Sequence, residues 1–168
     1  MVSCRRIGLS MAIVAVVVLQ QTSASAQASQ PLTGTWKLNV AKSTFNPPDL
    51  AAKNLLVTYR VEGDTITASL DGVDYTGRAV RSEYTATLDG KEHPTKGTSD
   101  GKPTPSQDAI SWKRIDDRTY EVLNKVKGQV LTTRRIVIAA DGKSRTTTIT
   151  GHDAQGRAVN HVMFFERQ

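Results

Sequence analysis

One cysteine, three histidines and an aromatic content of 5% leave little from which to build a disulfide framework, a metal cage or a stacking surface for bases. Cys4 stands ahead of the first apolar run, whereas a lipid-accepting cysteine follows one, so a lipoprotein is not expected. His93, His152 and His161 lie far apart, and none has a second histidine or cysteine at zinc-ligand spacing. Basic residues number 22 against 16 acidic. The two signs alternate without a block of five or six, and no stretch interleaves Arg or Lys with rings, so nucleic acid is not an expected partner. The basic excess reads as a solvated surface. No glycine-rich phosphate loop occurs. Gly97-Thr98-Ser99-Asp100-Gly101 has the G-x-S-x-G spelling of a hydrolase nucleophile without its context. Lys96 and Lys102-Pro103 flank it where a buried strand and a helix are required, so it reads as a flexible turn. His152 beside Asp153 reads as a solvated hairpin residue, and Asp116-Asp117 as a turn. No catalytic residue, metal or cofactor is expected.

What the chain does have begins with a leader. Arg5 and Arg6 form a positive start, Ile7 to Leu19 is apolar except for Gly8 and Ser10, and Ala24-Ser25-Ala26 gives a small-x-small cleavage site. The apolar run is short of the roughly 20 residues that span a bilayer. Residues 1–26 are therefore read as a secretory signal, with Arg5-Arg6 leaving twin-arginine export open, and 27–32 as a linker. Cleavage near Ala26 would place the protein in the periplasm or outside the cell. Removing the first 26 of 168 residues leaves 142, enough for one domain, here 33–168. The leader takes two arginines and no acid with it, so the remainder carries +4 instead of +6. It also takes the cysteine, so the domain is held by burial and backbone pairing alone, with a monomer expected.

Across that domain apolar residues recur at every second position. Leu55, Val57, Tyr59 and Val61 share a face, Thr65 to Leu70 alternates throughout, and Val80, Tyr84, Ala86 and Leu88 continue the pattern. Ile110 with Trp112 and Tyr120 with Val122 do the same. This is the period of strands with one buried face. About ten are expected, near 34–40, 55–62, 65–71, 78–88, 91–95, 109–115, 119–126, 129–139, 144–151 and 157–166. Asp71-Gly72, Asp89-Gly90 and Asp141-Gly142 are dipeptides that close hairpins. Short links favour an antiparallel up-and-down meander of about 8–10 strands, and a meander of this size either closes or leaves two sticky edges. Closure brings Val159–Phe165 beside Thr33–Asn39. Two stretches escape the pattern: 43–54, where Pro47-Pro48 and Asp49 suggest a helical turn near 47–53, and 96–108, read as a mobile loop.

Gly34-Thr35-Trp36-Lys37-Leu38 resembles the first-strand signature of the calycin superfamily, the lipocalins and fatty-acid-binding proteins. The meander and an aromatic last strand ending in Glu166-Arg167 fit the same resemblance. More narrowly, GTWKLNVAKSTF and the carboxy-terminal stretch from Asp141 look like a group of uncharacterised secreted bacterial proteins that bring no assigned activity. The resemblance implies that Trp36 plugs the closed end of a barrel, often under an arginine of the last strand. A large indole suits a tapering barrel end, and glycine lets the chain pass closely. Gly34 and Trp36 are thus expected to be structural, with Arg167 as the positional partner and Arg157 and Arg135 as alternatives. The fatty-acid-binding proteins carry a helix-turn-helix lid between their first two strands, and 43–54 is too short for one.

About a third of the domain is apolar, which is lean for a solid globule, and Thr146-Thr147-Thr148-Ile149-Thr150 is leaner still. A hollow, partly polar lumen or one wholly solvated face follows. On 129–139 the even positions Val130, Thr132, Arg134, Ile136 and Ile138 form one face and Leu131, Arg135 and Val137 the other, leaving the inward face open. With the even face inward, Arg134 is a lone cation in an apolar lumen, suited to an anionic head group. Tyr59, Tyr84, Trp112 and Tyr120 are then the rings of the wall. The leading reading is a binder of small apolar or amphiphilic anions through these five residues. An interaction or inhibitor barrel working through exposed loops on a protein or envelope partner is the alternative, and an enzyme on the same scaffold the third.

Overall fold

A computed structural model describes residues 30–103 and 107–168. The leader read over 1–26, with Cys4 and its cleavage site, lies outside the described residues. Twelve antiparallel strands form one curled sheet: β1 Gly34–Thr44, β2 Asn54–Glu62, β3 Thr65–Val73, β4 Ala79–Thr87, β5 Asp89–Pro94 and β6 Lys96–Ser99. They are followed by β7 Lys102–Pro103, β8 Ala109–Arg114, β9 Thr119–Val126, β10 Gln129–Ile138, β11 Ser144–His152 and β12 Ala158–Arg167. A three-residue 3-10 turn, Pro48–Leu50, is the one helical element among the described residues. It falls inside the stretch where a turn is expected, with Asp49 in its first turn but no side-chain cap.

The period-two pattern translates directly into burial. Along β2, Val57, Tyr59 and Val61 are buried while Leu56, Thr58, Arg60 and Glu62 face out. Odd positions point inward on β12 (Val159, His161, Met163, Phe165), and even positions on β9 (Tyr120, Val122, Asn124). On β10 the even face is the inner one, since Ile136 and Ile138 are buried and Arg135 and Val137 exposed.

The first and last strands pair, as closure requires: Trp36 opposes Arg167 and Leu38 opposes Phe165. The meander is broken elsewhere. The sheet runs β5-β8-β9-β10-β11-β12-β1-β2-β3-β4-β6-β7, so β4 and β5, adjacent in sequence, do not pair. The chain turns a corner at Leu88, whose N–H donates to the Asp64 carbonyl at 2.8 Å and whose side chain is buried. Beyond that corner β5 joins β8, while β4 takes β6 as its neighbour.

Three expectations about turns are corrected. Asp89-Gly90 closes no hairpin: the pair opens β5, which joins β8 instead of β4. Residues 96–103, within the stretch read as a mobile loop, form the β6–β7 hairpin, closed by Asp100 (φ 49°) and Gly101 (φ 74°). These two positive φ values are those of a type I′ turn, which fits strand twist. Asp71-Gly72 closes nothing: both residues lie within β3, paired with β2 and β4. The chain turns instead at Asp74, whose carboxylate Oδ1 accepts the backbone N–H groups of Thr76 and Arg78. Three local hydrogen bonds to one carboxylate outweigh the conformational tolerance of a single Asp-Gly pair.

Candidate functional site

The two ends of the barrel differ. At one, Trp36 is fully buried and its indole N–H donates to the Leu32 carbonyl at 2.9 Å. The Arg167 guanidinium lies 4.3 Å from the centre of the Trp36 ring. Its nitrogens donate to the carbonyls of Gly142 (2.6 Å), Thr33 (2.5 Å) and Pro31 (2.6 Å), stitching three chain segments across the end. Gly34 sits at φ 135° against that guanidinium, so a side chain there would collide with Arg167 Nη1. This end is closed.

Next to this plug lies a polar core. Arg145, 2% exposed, stacks its guanidinium 3.8 Å from the Phe165 ring centre, 5.4 Å from Tyr59 and 5.5 Å from Trp36. Its Nη1 donates to Thr147 Oγ1 at 2.5 Å, and its Nε has no partner. Burial and, more weakly, the like charge of Arg134 lower its pKa, against the phenols of Tyr59 and Tyr84, which raise it. Trp112 is the hub of the rings: Tyr59 packs on it edge-on at 5.5 Å, Tyr120 at 6.1 Å and Tyr84 at 6.4 Å. Burial pushes the Tyr84 phenol well above its ordinary value and raises that of Tyr120, so both stay protonated at neutral pH. The four rings singled out from the sequence are therefore brought together.

Beyond the rings the barrel is hollow. A cavity of about 740 Å³ opens at the end opposite Trp36. Apolar wall comes from Leu70, Val80, Ile149 and Val159, and Leu50 of the 3-10 turn reaches in from above. Polar wall comes from Ser99, Gln107, Thr132, Arg134 and His161. Strand register explains the grouping, because Trp112, Val122, Arg134, Ile149 and His161 occupy one row across five adjacent strands. Arg134 lines the cavity; Tyr59, Tyr84, Trp112 and Tyr120 do not. Arg134 Nη2 donates to Gln107 Oε1 at 3.4 Å and its Nε has no partner. Among the described residues neither Arg134 nor Arg145 has a carboxylate within 4.0 Å, whereas ten other pairs are bridged at the surface or rim. Arg134 is thus not the lone interior cation that its strand pattern suggests, but one of two.

Two matching turns frame the mouth. Asp74-Tyr75-Thr76-Gly77-Arg78 joins β3 to β4, and Asp153-Ala154-Gln155-Gly156-Arg157 joins β11 to β12. In each, the aspartate carboxylate accepts the N–H groups two and four residues on, the glycine has positive φ, and the arginine returns to pair with the aspartate. These carboxylates are consumed by their own turns. Burial alone raises the pKa of each, but hydrogen bonds outweigh it, from Thr76 and Arg78 to Asp74 and from Arg157 and Gln155 to Asp153, and both end up lowered.

Sequence reasoning missed His161, Gln107, Ser99 and Arg145. For His161 and Arg145 the signal was available in the alternation itself, since His161 shares a face with Val159 and Met163, and Arg145 with Ile149.

The fold and its cavity define a class: an antiparallel β-barrel, plugged at one end and hollow at the other. No protein-family model and no curated protein matches the sequence. Among solved structures, a redesigned β-barrel, mFAP1, bound to DFHBI, is similar over 84% of this chain and 100% of its own, at 14% identity and a TM-score of 0.42.

Proposed function

We propose that this protein is a secreted or periplasmic binder of small apolar or amphiphilic anions, a calycin-like barrel that holds its ligand in the cavity. The observation that carries this reading is Arg134. It is an inward guanidinium on the wall of a 740 Å³ cavity, with an unpartnered Nε and no carboxylate within 4.0 Å among the described residues; of the cavity's aspartates, Asp74 and Asp153 are paired with arginines of their own turns and Asp100 accepts the Ala79 N–H. Pockets for small molecules begin at about 300 Å³ and combine an apolar wall with a few polar groups. Leu50, Leu70, Val80, Ile149 and Val159 supply the first, Arg134, Gln107, Thr132 and His161 the second. An anionic head on Arg134 gains charge-assisted hydrogen bonds of about 1.5–3 kcal/mol, while the tail lies along the aliphatic wall. Tyr59, Tyr84, Trp112 and Tyr120 back this wall and hold its shape.

Displacement of a fluorescent amphiphile by fatty acids tests the proposal, with Trp112 emission as a second signal. Arg134→Leu is expected to weaken anionic ligands about tenfold or more and to leave neutral apolar ones nearly unchanged. Equal weakening of both classes removes Arg134 from the site. Failure of every amphiphile to bind folded protein refutes the binder reading.

A further inference from the structure

The segment between β1 and β2 cannot add to the sheet, because Pro47 and Pro48 have no N–H to donate. It crosses the open end of the barrel instead. The Asn46 N–H donates to His161 Nδ1 at 3.1 Å, and the Asn46 carbonyl accepts the Asn160 N–H at 2.8 Å. Phe45 packs its ring 5.4 Å from the imidazole. Asp49 receives Arg157 Nη1 at 3.0 Å, and Arg157 itself lies 5.9 Å from the Tyr75 ring of the opposite turn. Leu50, 8% exposed, projects into the cavity. Besides the Asn160–Asn46 backbone bond, the segment that covers the mouth on this side is held by two side-chain clasps, one through His161 and one through Arg157.

The histidine clasp has a defined protonation state. A ring nitrogen that accepts an N–H is unprotonated, so the neutral ring carries its proton on Nε2. A second proton has to go to Nδ1. There it faces the Asn46 N–H, donor against donor, and the bond is lost.

We propose that residues 45–50 form a lid over the cavity, clasped shut by neutral His161 and released when that imidazole is protonated. Burial lowers the pKa of His161 below its ordinary 6.5, so release belongs to pH values below that. The groups around the ring agree with that direction. From β11 it meets uncharged Ile149, and from the lid Phe45 and Asn46. Two strands along the same row, beyond Ile149, the nearest charge is Arg134, which opposes a second cation. At the rim Asp74, Asp153 and Asp49 are each already paired with an arginine. Lid opening is a property of the protein alone; its effect on ligand exchange rests on the binding function proposed above.

Amide hydrogen exchange of the ligand-free protein at about pH 7.5 and about pH 5 tests the lid directly, read as protection factors to remove the intrinsic pH effect. Protection of Asn46 and Leu50 is expected to fall about fivefold or more at the lower pH, the weight of one lost buried hydrogen bond, while the β12 core stays protected. His161→Asn, which keeps an acceptor near Nδ1 and cannot titrate, should hold high protection at both values. His161→Phe should show low protection at both. Asp49→Asn should lower protection at both and keep the step. Unchanged protection in the wild type, or a step that survives in His161→Asn, overturns the proposal. A parallel measurement follows release of N-phenyl-1-naphthylamine, a neutral apolar probe indifferent to added charge, which should accelerate by a similar factor at the lower pH. A protection step with binding of neither this probe nor any anionic amphiphile upholds the lid and refutes the ligand reading. Probe binding with flat protection does the reverse.

Discussion

Trp36, Gly34 and Arg167 work as one unit although 131 residues separate Trp36 from Arg167. The indole fills the barrel end, the guanidinium covers it, and the missing Cβ of Gly34 makes room for the guanidinium. Trp36→Ala should destabilise the fold by about 3–5 kcal/mol through the cavity it leaves. Gly34→Ala has no cavity term but forces an L side chain to φ 135° against Arg167, at a cost of about 1–3 kcal/mol. Urea midpoints of the two variants check both figures. A Gly34→Ala protein as stable as the wild type would mean that the Arg167 contacts are dispensable. This unit was legible in the sequence because Gly-x-Trp is a local pattern and the last arginine has a fixed place in the closing strand. Arg145 was passed over because a charge is ordinarily assigned to the wet face, although its alternation with Thr147 and Ile149 already placed it inward. Only the three rings around it, drawn from β1, β2 and β12, reconcile that charge with burial.

At the scale of elements, alternation located ten of the twelve strands, since a buried and a wet face leave a strong period in any strand long enough to show one. The β6–β7 hairpin was missed because Lys96–Ser99 and Lys102–Pro103 are too short and too polar to carry a period. The corner at Leu88 was missed for a different reason: pairing between sequence neighbours is only a tendency, and here the chain leaves β4 at a buried leucine to join β8. The two Asp-x-x-Gly-Arg turns make a prediction about acid. The carboxylates of Asp74 and Asp153 have folded pKa values below the ordinary 3.8, so their contribution is present above that value and lost as pH falls through the lowered one. Asp74→Asn and Asp153→Asn should each lower the urea midpoint at neutral pH. The difference from wild type should shrink below about pH 4 as the wild-type carboxylates protonate. A gap that persists unchanged at low pH would assign the loss to turn geometry instead of charge. His161 acts in the same sense nearer neutrality: its pKa is lowered by burial, so stability is full above 6.5 and declines as pH falls below it.

For the whole molecule, the decisive feature is where charge is left uncompensated. Ion pairs occur at the surface and the rim, where unpaired charges are also hydrated, whereas among the described residues the two inward guanidiniums have no carboxylate within 4.0 Å. Rings and a threonine offset the cost at Arg145, deep against the plug, but among the described residues Arg134 has only Gln107. A partly buried cation kept without a counter-charge lowers the stability of the empty protein, and replacement by an apolar side chain removes that penalty. Arg134→Leu should therefore raise the melting temperature of the ligand-free protein, by about 3 °C for a gain of about 1 kcal/mol in a domain of this size. The wild type should recover the deficit when an anionic amphiphile supplies the missing charge. At a free concentration a hundredfold above Kd the stabilisation is about 2.7 kcal/mol, and the same concentration should do far less for Arg134→Leu. Thermal melts of both proteins, with and without a fatty acid and a neutral alcohol of equal chain length, separate the outcomes. A variant that is less stable when empty would make Arg134 a structural residue. A more stable variant that binds the acid as tightly as the wild type would leave the cation without a function. The crossing of the two curves, with the variant ahead when empty and the wild type ahead when loaded with anion, is what a side chain held in place for a ligand should produce.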